Sequence, residues 1–160
     1  MQKTILHIGS NVGDVKANLK RCITLIEEGI GNCTLVSSTY LTEAWGLEEQ
    51  NDFLNQALEV ETNFSLLLVL EKCMRIEAKM GRERNIRWGP RIIDIDIIFY
   101  GEEIFDSKGL TVPHPRMHTR NFVLFPLAEI IPDWRHPILG KTIAELKESS
   151  PDQQLIIDQY

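Results

Sequence analysis

The 160-residue sequence predicts an α+β fold. The form expected is a ferredoxin-like αβ sandwich, a mainly antiparallel sheet with helices packed on it, plus C-terminal additions. Three observations predict it. Hydrophobic periodicity switches between 2 and 3.6 residues in the order β-α-β-β-α-β over residues 4–100. The composition, 43% hydrophobic and 25% charged, supplies one sizeable core without a polar excess. The length suits one domain spanning 1–160, with no room for two ordinary ones.

Thr4–Ile8 reads as a strand that runs into the turn cluster Gly9-Ser10-Asn11. Val15, Leu19, Cys22, Ile23 and Ile26 recur at helical spacing, with Asp14 as N-cap and Gly29 near the stop. Thr34–Thr42 alternates and is rich in Thr, Val and Tyr, which predicts one strand. Glu43–Asp52 is a polar loop carrying Trp45. Phe53–Thr62 alternates again, placing Leu54, Leu58 and Val60 on one face and Phe53, Asn55 and Ala57 on the other. Ser65 is expected to cap a second helix whose apolar positions run from Leu66 to Met80, with Gly81 ending it. A loop, Arg82–Pro90, leads into the strand Ile92–Tyr100. Pro113, Pro115 and Pro126 then mark irregular chain, with Asn121–Leu127 extended or partly helical. Thr142 and Glu145 have the spacing of a capping box, and Leu155–Ile157 reads as an edge strand.

Seventeen basic against 23 acidic residues give a net charge of −6, the wrong sign for a dedicated nucleic-acid binder. The charge is unevenly spread. Residues 82–120 hold seven basic and six acidic side chains, and six of the nine arginines lie there. An arginine-rich middle in an acidic chain points to a local anion site. No apolar run approaches the ~18 residues of a membrane span, and the start MQKTILHIGS lacks a signal peptide's layout. Cys22, Cys33 and Cys73 are odd in number and widely spaced, which fits reduced thiols in the cytoplasm.

Asp94-Ile95-Asp96-Ile97 is the most informative stretch. Strand alternation turns Ile93, Ile95, Ile97 and Phe99 to the core and Asp94 and Asp96 together the other way, about 7 Å apart. Paired carboxylates repel unless a cation lies between them, and an oxygen-only pair suits Mg²⁺. An acidic solvent-facing strand is the alternative, and alternation alone leaves both open. Directly upstream, Arg82, Arg84, Arg87 and Arg91 place four guanidinium groups in ten residues. Their planar forks match phosphate oxygens, and metal plus arginines is the equipment of phosphoryl transfer. Glu77 borders the buried face of the second helix in its last turn, where the dipole disfavours an anion. A structural ion pair with Arg82 or Arg84 and a ligand-binding role are both open. His114 and His118 are four apart, but Pro115 opposes the helix that would align them on a metal. Gly140-Lys141-Thr142 imitates the end of a phosphate loop, yet Arg135 occupies the place of its first glycine.

Arg87-Trp88-Gly89-Pro90-Arg91-Ile92-Ile93-Asp94-Ile95-Asp96 resembles the signature of the 6-hydroxymethyl-7,8-dihydropterin pyrophosphokinases of folate biosynthesis. Ile8–Asn11, Phe53–Asn55, Arg75–Glu77, Leu110–His114 and Arg120–Phe122 agree with the same family, whose ferredoxin-like core matches the strand order. The resemblance implies transfer of the pyrophosphoryl group of ATP to the pterin's hydroxymethyl oxygen, with release of AMP. It implies that Asp94 and Asp96 bind two Mg²⁺ ions with ATP, and that Arg82 and Arg91 grip the phosphates. Glu77, Arg84, Trp88, Ile97, Thr111, His114 and Arg120 would lie on the ATP side. Phe53 and Phe122 would sandwich the pterin, Asn55 would read its amide edge, and Thr42, Trp45 and Gly46 would line the same end. The loop between Arg84 and Trp88 is one residue shorter than in some relatives, with Asn85 in place of a lysine. Phe53 and Pro115 replace tyrosines found in others. The expected protein is a cytoplasmic monomer with ATP and the pterin as partners, and no nucleic acid or membrane. Two rivals remain on the residues alone. One is another Mg²⁺-dependent nucleotidyl or phosphoryl transferase; the other is an RNA-binding module, whose sheet face should be basic rather than acidic.

Overall fold

A computed structural model describes residues 1–44, 49–83 and 89–160. Chain order is β1 (Gln2–Ser10), α1 (Val15–Gly29), β2 (Asn32–Val36), β3 (Tyr40–Thr42), β4 (Phe53–Thr62), α2 (Leu66–Lys79) and β5 (Asp94–Tyr100). There follow β6 (Phe105–Ser107), β7 (Leu110–Val112), a short 3₁₀ turn (Met117–Thr119), α3 (Asn121–Ile130), α4 (Ile143–Glu148) and β8 (Ile156–Gln159). The main sheet runs β5-β1-β4-β3-β8, with β2 also paired to β4, and β6 and β7 form a separate hairpin. Every pairing in the main sheet is antiparallel. The architecture is therefore the predicted α+β sandwich.

The sheet buries both faces. Leu6, Ile8, Leu54, Leu58, Val60, Ile95 and Ile97 pack against Leu19, Cys22 and Ile26 of α1 and Val69, Cys73 and Ile76 of α2. On the opposite face Ile5, Ala57, Ile98 and Phe99 pack against Val123, Leu124 and Leu127 of α3 and Ile143 and Leu146 of α4. The C-terminal additions are thus a second helical layer. They cover that face only in part. Further along the same strands the residues turn polar (His7, Gly9, Asn55, Asp94, Asp96), and there the face borders a cavity.

Several elements depart from expectation, each for a local reason. The strand expected over Thr34–Thr42 breaks at Ser37–Thr39. There the Ala57 amide donates to Ser37 Oγ and Gln56 Nε2 donates to the Ser37 carbonyl, so side chains replace ladder bonds. Ser65 stands at the N-cap of α2, but its side chain makes no capping bond. Leu67, inside the apolar helix start, is 57% exposed. For Asn121–Leu127, which the sequence leaves extended or partly helical, the helical reading holds despite Pro126. Phe99 does not share the face of Ile95 and Ile97. The β1–β5 register jumps, with Ile5 opposite Phe99 and Leu6 opposite Ile97, so Ile98 is an extra residue and the alternation inverts beyond it. Asp14 caps α1 by accepting from the Ala17 amide, and Thr142 and Glu145 form the predicted capping box. Cys22, Cys33 and Cys73 are free thiols.

Candidate active site

The cavity, about 820 Å³, lies at the upper end of the ~300–1,000 Å³ usual for small-molecule sites. It wraps the β5 edge of the sheet, from the polar face to α2 and the β6–β7 hairpin. Thr42, Phe53, Asn55, Glu77, Arg82, Arg91, Asp94, Asp96, Ile97, Thr111, His114, Arg120 and Phe122 all line it. Trp45, Gly46, Arg84 and Trp88 lie outside the described residues.

The charged centre is built on β5. Antiparallel register sets Asp94 opposite Gly9 and Asp96 opposite His7, so both carboxylates stand on the polar face. Arg82 Nη1 donates to Asp94 Oδ1 at 2.6 Å, and Arg91 Nη1 donates to Asp94 Oδ2. Arg82 also donates to Glu77 Oε1, which accepts the Ile95 amide at 2.8 Å as well. Glu77 therefore has the structural ion pair left open by the sequence, and through it α2 is tied to β5. Gly81, at φ +88°, turns the chain out of α2 so that Arg82 comes back over Glu77.

Electrostatics separate the two aspartates. Burial works against ionisation of Asp94, but Arg91 and Arg82 outweigh it and hold its carboxyl below the usual range. Asp96 has the same desolvation with Asp94 beside it, and its carboxyl is pushed up to about 8. A carboxylate so placed is a site short of positive charge, which a cation would complete. Among the described residues no cluster of three or more metal-ligating side chains exists. A divalent ion on this pair would therefore leave ligand positions to water and phosphate, as Mg²⁺ does.

At the other end stand the groups suited to a flat heterocycle. Asn55 is 2% exposed, and its Nδ2 donates to Thr42 Oγ1 at 2.8 Å. A side chain on Gly9 would come within 3.1 Å of Asn55 Oδ1, so the bare glycine is what lets Asn55 sit there. Phe122 occupies the first turn of α3 with the Arg120 guanidinium 5.6 Å from its ring centre. Leu67, Leu70 and Met74 of α2 and Leu110 of β7 add apolar side chains to the cavity lining. His114 is seated by the β5 bulge, since its amide donates to the Ile98 carbonyl at 3.0 Å.

Two residues were passed over in the sequence. His7 reads there as one more strand residue, yet it lines the cavity beneath Phe122 and is 4% exposed. A histidine at an alternate strand position facing neither helix was the available signal. Asn11 reads as a turn residue, yet it ties the end of β1 both to Arg91 and to the Gln50 and Asn51 segment. Its Oδ1 accepts the Arg91 amide at 2.9 Å, and its Nδ2 donates to Gln50 Oε1 and to the Asn51 carbonyl.

Residues 5–132 match the family of 7,8-dihydro-6-hydroxymethylpterin-pyrophosphokinase. This chain belongs to that family. It is 40% identical over 147 residues to the 2-amino-4-hydroxy-6-hydroxymethyldihydropteridine pyrophosphokinase of Aquifex aeolicus, covering 92% of this chain and 91% of the relative. The Bacillus subtilis protein of the same name is 44% identical over 124 residues, 77% of this chain and 74% of the relative. Wild-type Plasmodium falciparum HPPK-DHPS solved with SDX-DHP superposes at a TM-score of 0.73 with 17% identity. That likeness covers 92% of this chain and 43% of the larger one, so this chain spans under half its length and the likeness speaks to fold. The family match spans β1 to the end of α3, and so takes in every described residue of the charged centre.

Proposed function

We propose that this chain transfers the pyrophosphoryl group of ATP to the hydroxymethyl oxygen of 6-hydroxymethyl-7,8-dihydropterin, giving AMP and the pterin diphosphate in tetrahydrofolate biosynthesis. One observation carries the reading. The Asp94–Asp96 pair with Arg82 and Arg91 shares a single cavity with the Phe53, Asn55 and Phe122 end. Donor and acceptor can therefore meet over the carboxylates.

Asp94 and Asp96 would hold the two Mg²⁺ ions carried in with ATP, a reading supported by Asp96, whose burial beside Asp94 leaves it short of positive charge. Such ions would screen the triphosphate and stabilise charge developing at the transferred group. Arg82 and Arg91 are held ready by Asp94 and would turn to phosphate oxygens once metal takes over that carboxylate. Glu77 keeps Arg82 from swinging out of the cavity. The ATP side extends to Ile97, Thr111, His114 and Arg120, with Arg84 and Trp88 assigned there by family resemblance. On the pterin side Phe53 and Phe122 offer stacking faces and Asn55 a fixed amide bonded to Thr42, with Trp45 and Gly46 assigned to that side by family resemblance. Held in this way the hydroxymethyl oxygen attacks the β-phosphorus and the bond to the AMP oxygen breaks, so positioning supplies much of the rate. The free cysteines support a reducing, cytoplasmic setting.

The deciding experiment is incubation with Mg-ATP and the hydroxymethyl pterin, with products identified by mass. AMP and a pterin diphosphate are expected, and Asp96→Ala should abolish both while the protein still folds. ADP or free pyrophosphate as product would replace this reading with another phosphoryl or nucleotidyl transfer.

A further inference from the structure

Helix α3 contains a proline at its sixth position, Pro126. Proline has no N–H, so the carbonyl four residues earlier, that of Phe122, receives no helical hydrogen bond. A different element supplies the partner. His7 Nε2, from β1, lies 3.1 Å from the Phe122 oxygen. A carbonyl only accepts, so the ring proton is on Nε2. Burial favours the neutral ring, and the bond to the Phe122 oxygen is what selects its Nε2–H tautomer. The two rings also touch, with centroids 5.7 Å apart and planes tilted by 57°. His7 thus grips Phe122 by backbone and by ring from below, on the cavity floor.

We propose that His7 is a positioning residue for the acceptor substrate: it replaces the hydrogen bond Pro126 withholds and so fixes the Phe122 ring against the pterin. The proposal rests on the reading of Phe122 as a pterin-stacking residue. Its physical content is a coupling between positions 7 and 126, 119 residues apart in sequence and linked through the Phe122 carbonyl. Either residue can be altered so that the missing donor is lost or restored.

The test uses steady-state kinetics on five variants and the intact chain. His7→Leu removes the donor and keeps apolar bulk; it should raise the pterin KM roughly five- to tenfold, with ATP KM changed less than about twofold. His7→Gln presents an amide N–H at similar reach and should recover most of that loss. Pro126→Ala alone should be nearly silent. In the His7→Leu background, Pro126→Ala restores the helix's own N–H and should bring the pterin KM back to within about threefold of the wild type. Equal rises in both KM values would overturn the positioning role. So would the absence of recovery both in His7→Gln and in the His7→Leu, Pro126→Ala double variant. Nitrogen NMR of the ligand-free protein gives a second readout, and a His7 ring protonated on Nδ1 instead of Nε2 would also overturn it. Phe122→Ala separates the two readings. An unchanged pterin KM there removes the stacking role and the positioning role with it. A raised pterin KM in Phe122→Ala with an unchanged one in His7→Leu removes the positioning role alone.

Discussion

Asn11 shows how much of a site can hang on one uncharged side chain. It is 2% exposed and sits where β1 leaves the sheet, between cavity-lining Arg91 and the segment at Gln50 and Asn51. Its amide oxygen and backbone amide bind Arg91, at 2.9 and 3.1 Å, and its amide nitrogen binds the segment at Gln50 and Asn51. Arg91 is thereby aimed at Asp94 by a residue eighty positions away. Asn11→Ala should lower stability by roughly 1–3 kcal/mol and weaken use of both substrates, since three partly buried hydrogen bonds go at once. Asn11→Asp is more telling. A carboxylate still accepts from the Arg91 amide but cannot donate to Gln50 or Asn51. Its expected result is a pterin KM raised several-fold more than the ATP KM, read from paired substrate titrations. Equal changes in the two values would mean that the two segments tied by Asn11 do not serve separate substrates.

At the scale of elements the same logic governs α3. Its N-cap, Arg120, makes no side-chain capping bond, and the cap is delivered from the far end of the chain. Asp152 Oδ2 accepts the Asn121 amide at 2.8 Å, while Asn121 Nδ2 donates to the carbonyls of Asp152 and Gln154. A carboxylate there satisfies an orphan N–H and suits the helix dipole. Asp152→Ala should cost about 1 kcal/mol, a fall of roughly 2–4 °C in the melting midpoint by calorimetry, and should raise the pterin KM through Phe122 in the freed turn. Asp152→Asn keeps an acceptor and should lose less. The trans cap was not legible in sequence, and the helix was legible only as one of two readings, because Pro126 reads as a breaker until His7 is placed beneath it. What was legible were elements whose signal is local. Phe53–Thr62 has the predicted bounds, and Asp14 and Thr142 cap where spacing put them. The Ile98 bulge was hidden because a bulge is defined by its partner strand, and periodicity within β5 alone contains no mark of it. The charged centre was legible in composition because its arginines and aspartates cluster in one short stretch, Arg91 lying three residues before Asp94. The Arg82–Asp94 pair, twelve residues apart, needed α2 to be placed on β5.

For the whole molecule, the decisive feature is a sheet face that is apolar under α3 and α4 and polar where that cover ends. Groups buried at the boundary make stability depend on pH in two opposing ways. His7 faces Asp94 and Arg120, and His114 faces Arg120, Arg116, His7 and Asp94; burial leads in lowering both to about 4. His136, beside His118 in the covered region, is lowered as well, again chiefly by burial. Between pH 6.5 and 4 the unfolded chain therefore binds protons at these histidines that the folded chain refuses, and stability falls on acidification. Asp96 acts in the other sense. With its carboxyl pushed up to about 8, the metal-free folded state holds a proton there that the unfolded state has released above about pH 4. Each such proton contributes a slope of about 1.4 kcal/mol per pH unit. Below about pH 6.5 the histidines outnumber Asp96 and stability rises with pH; from about 6.5 to 8 Asp96 acts without them and stability declines. In chelator the melting midpoint should accordingly peak near about pH 6.5. Asp96→Asn should abolish the decline above that pH and steepen the rise below it. A wild type that is flat over the upper range, or an Asp96→Asn variant that keeps the decline, would show that Asp96 is ionised without a metal and that the pair tolerates its own repulsion.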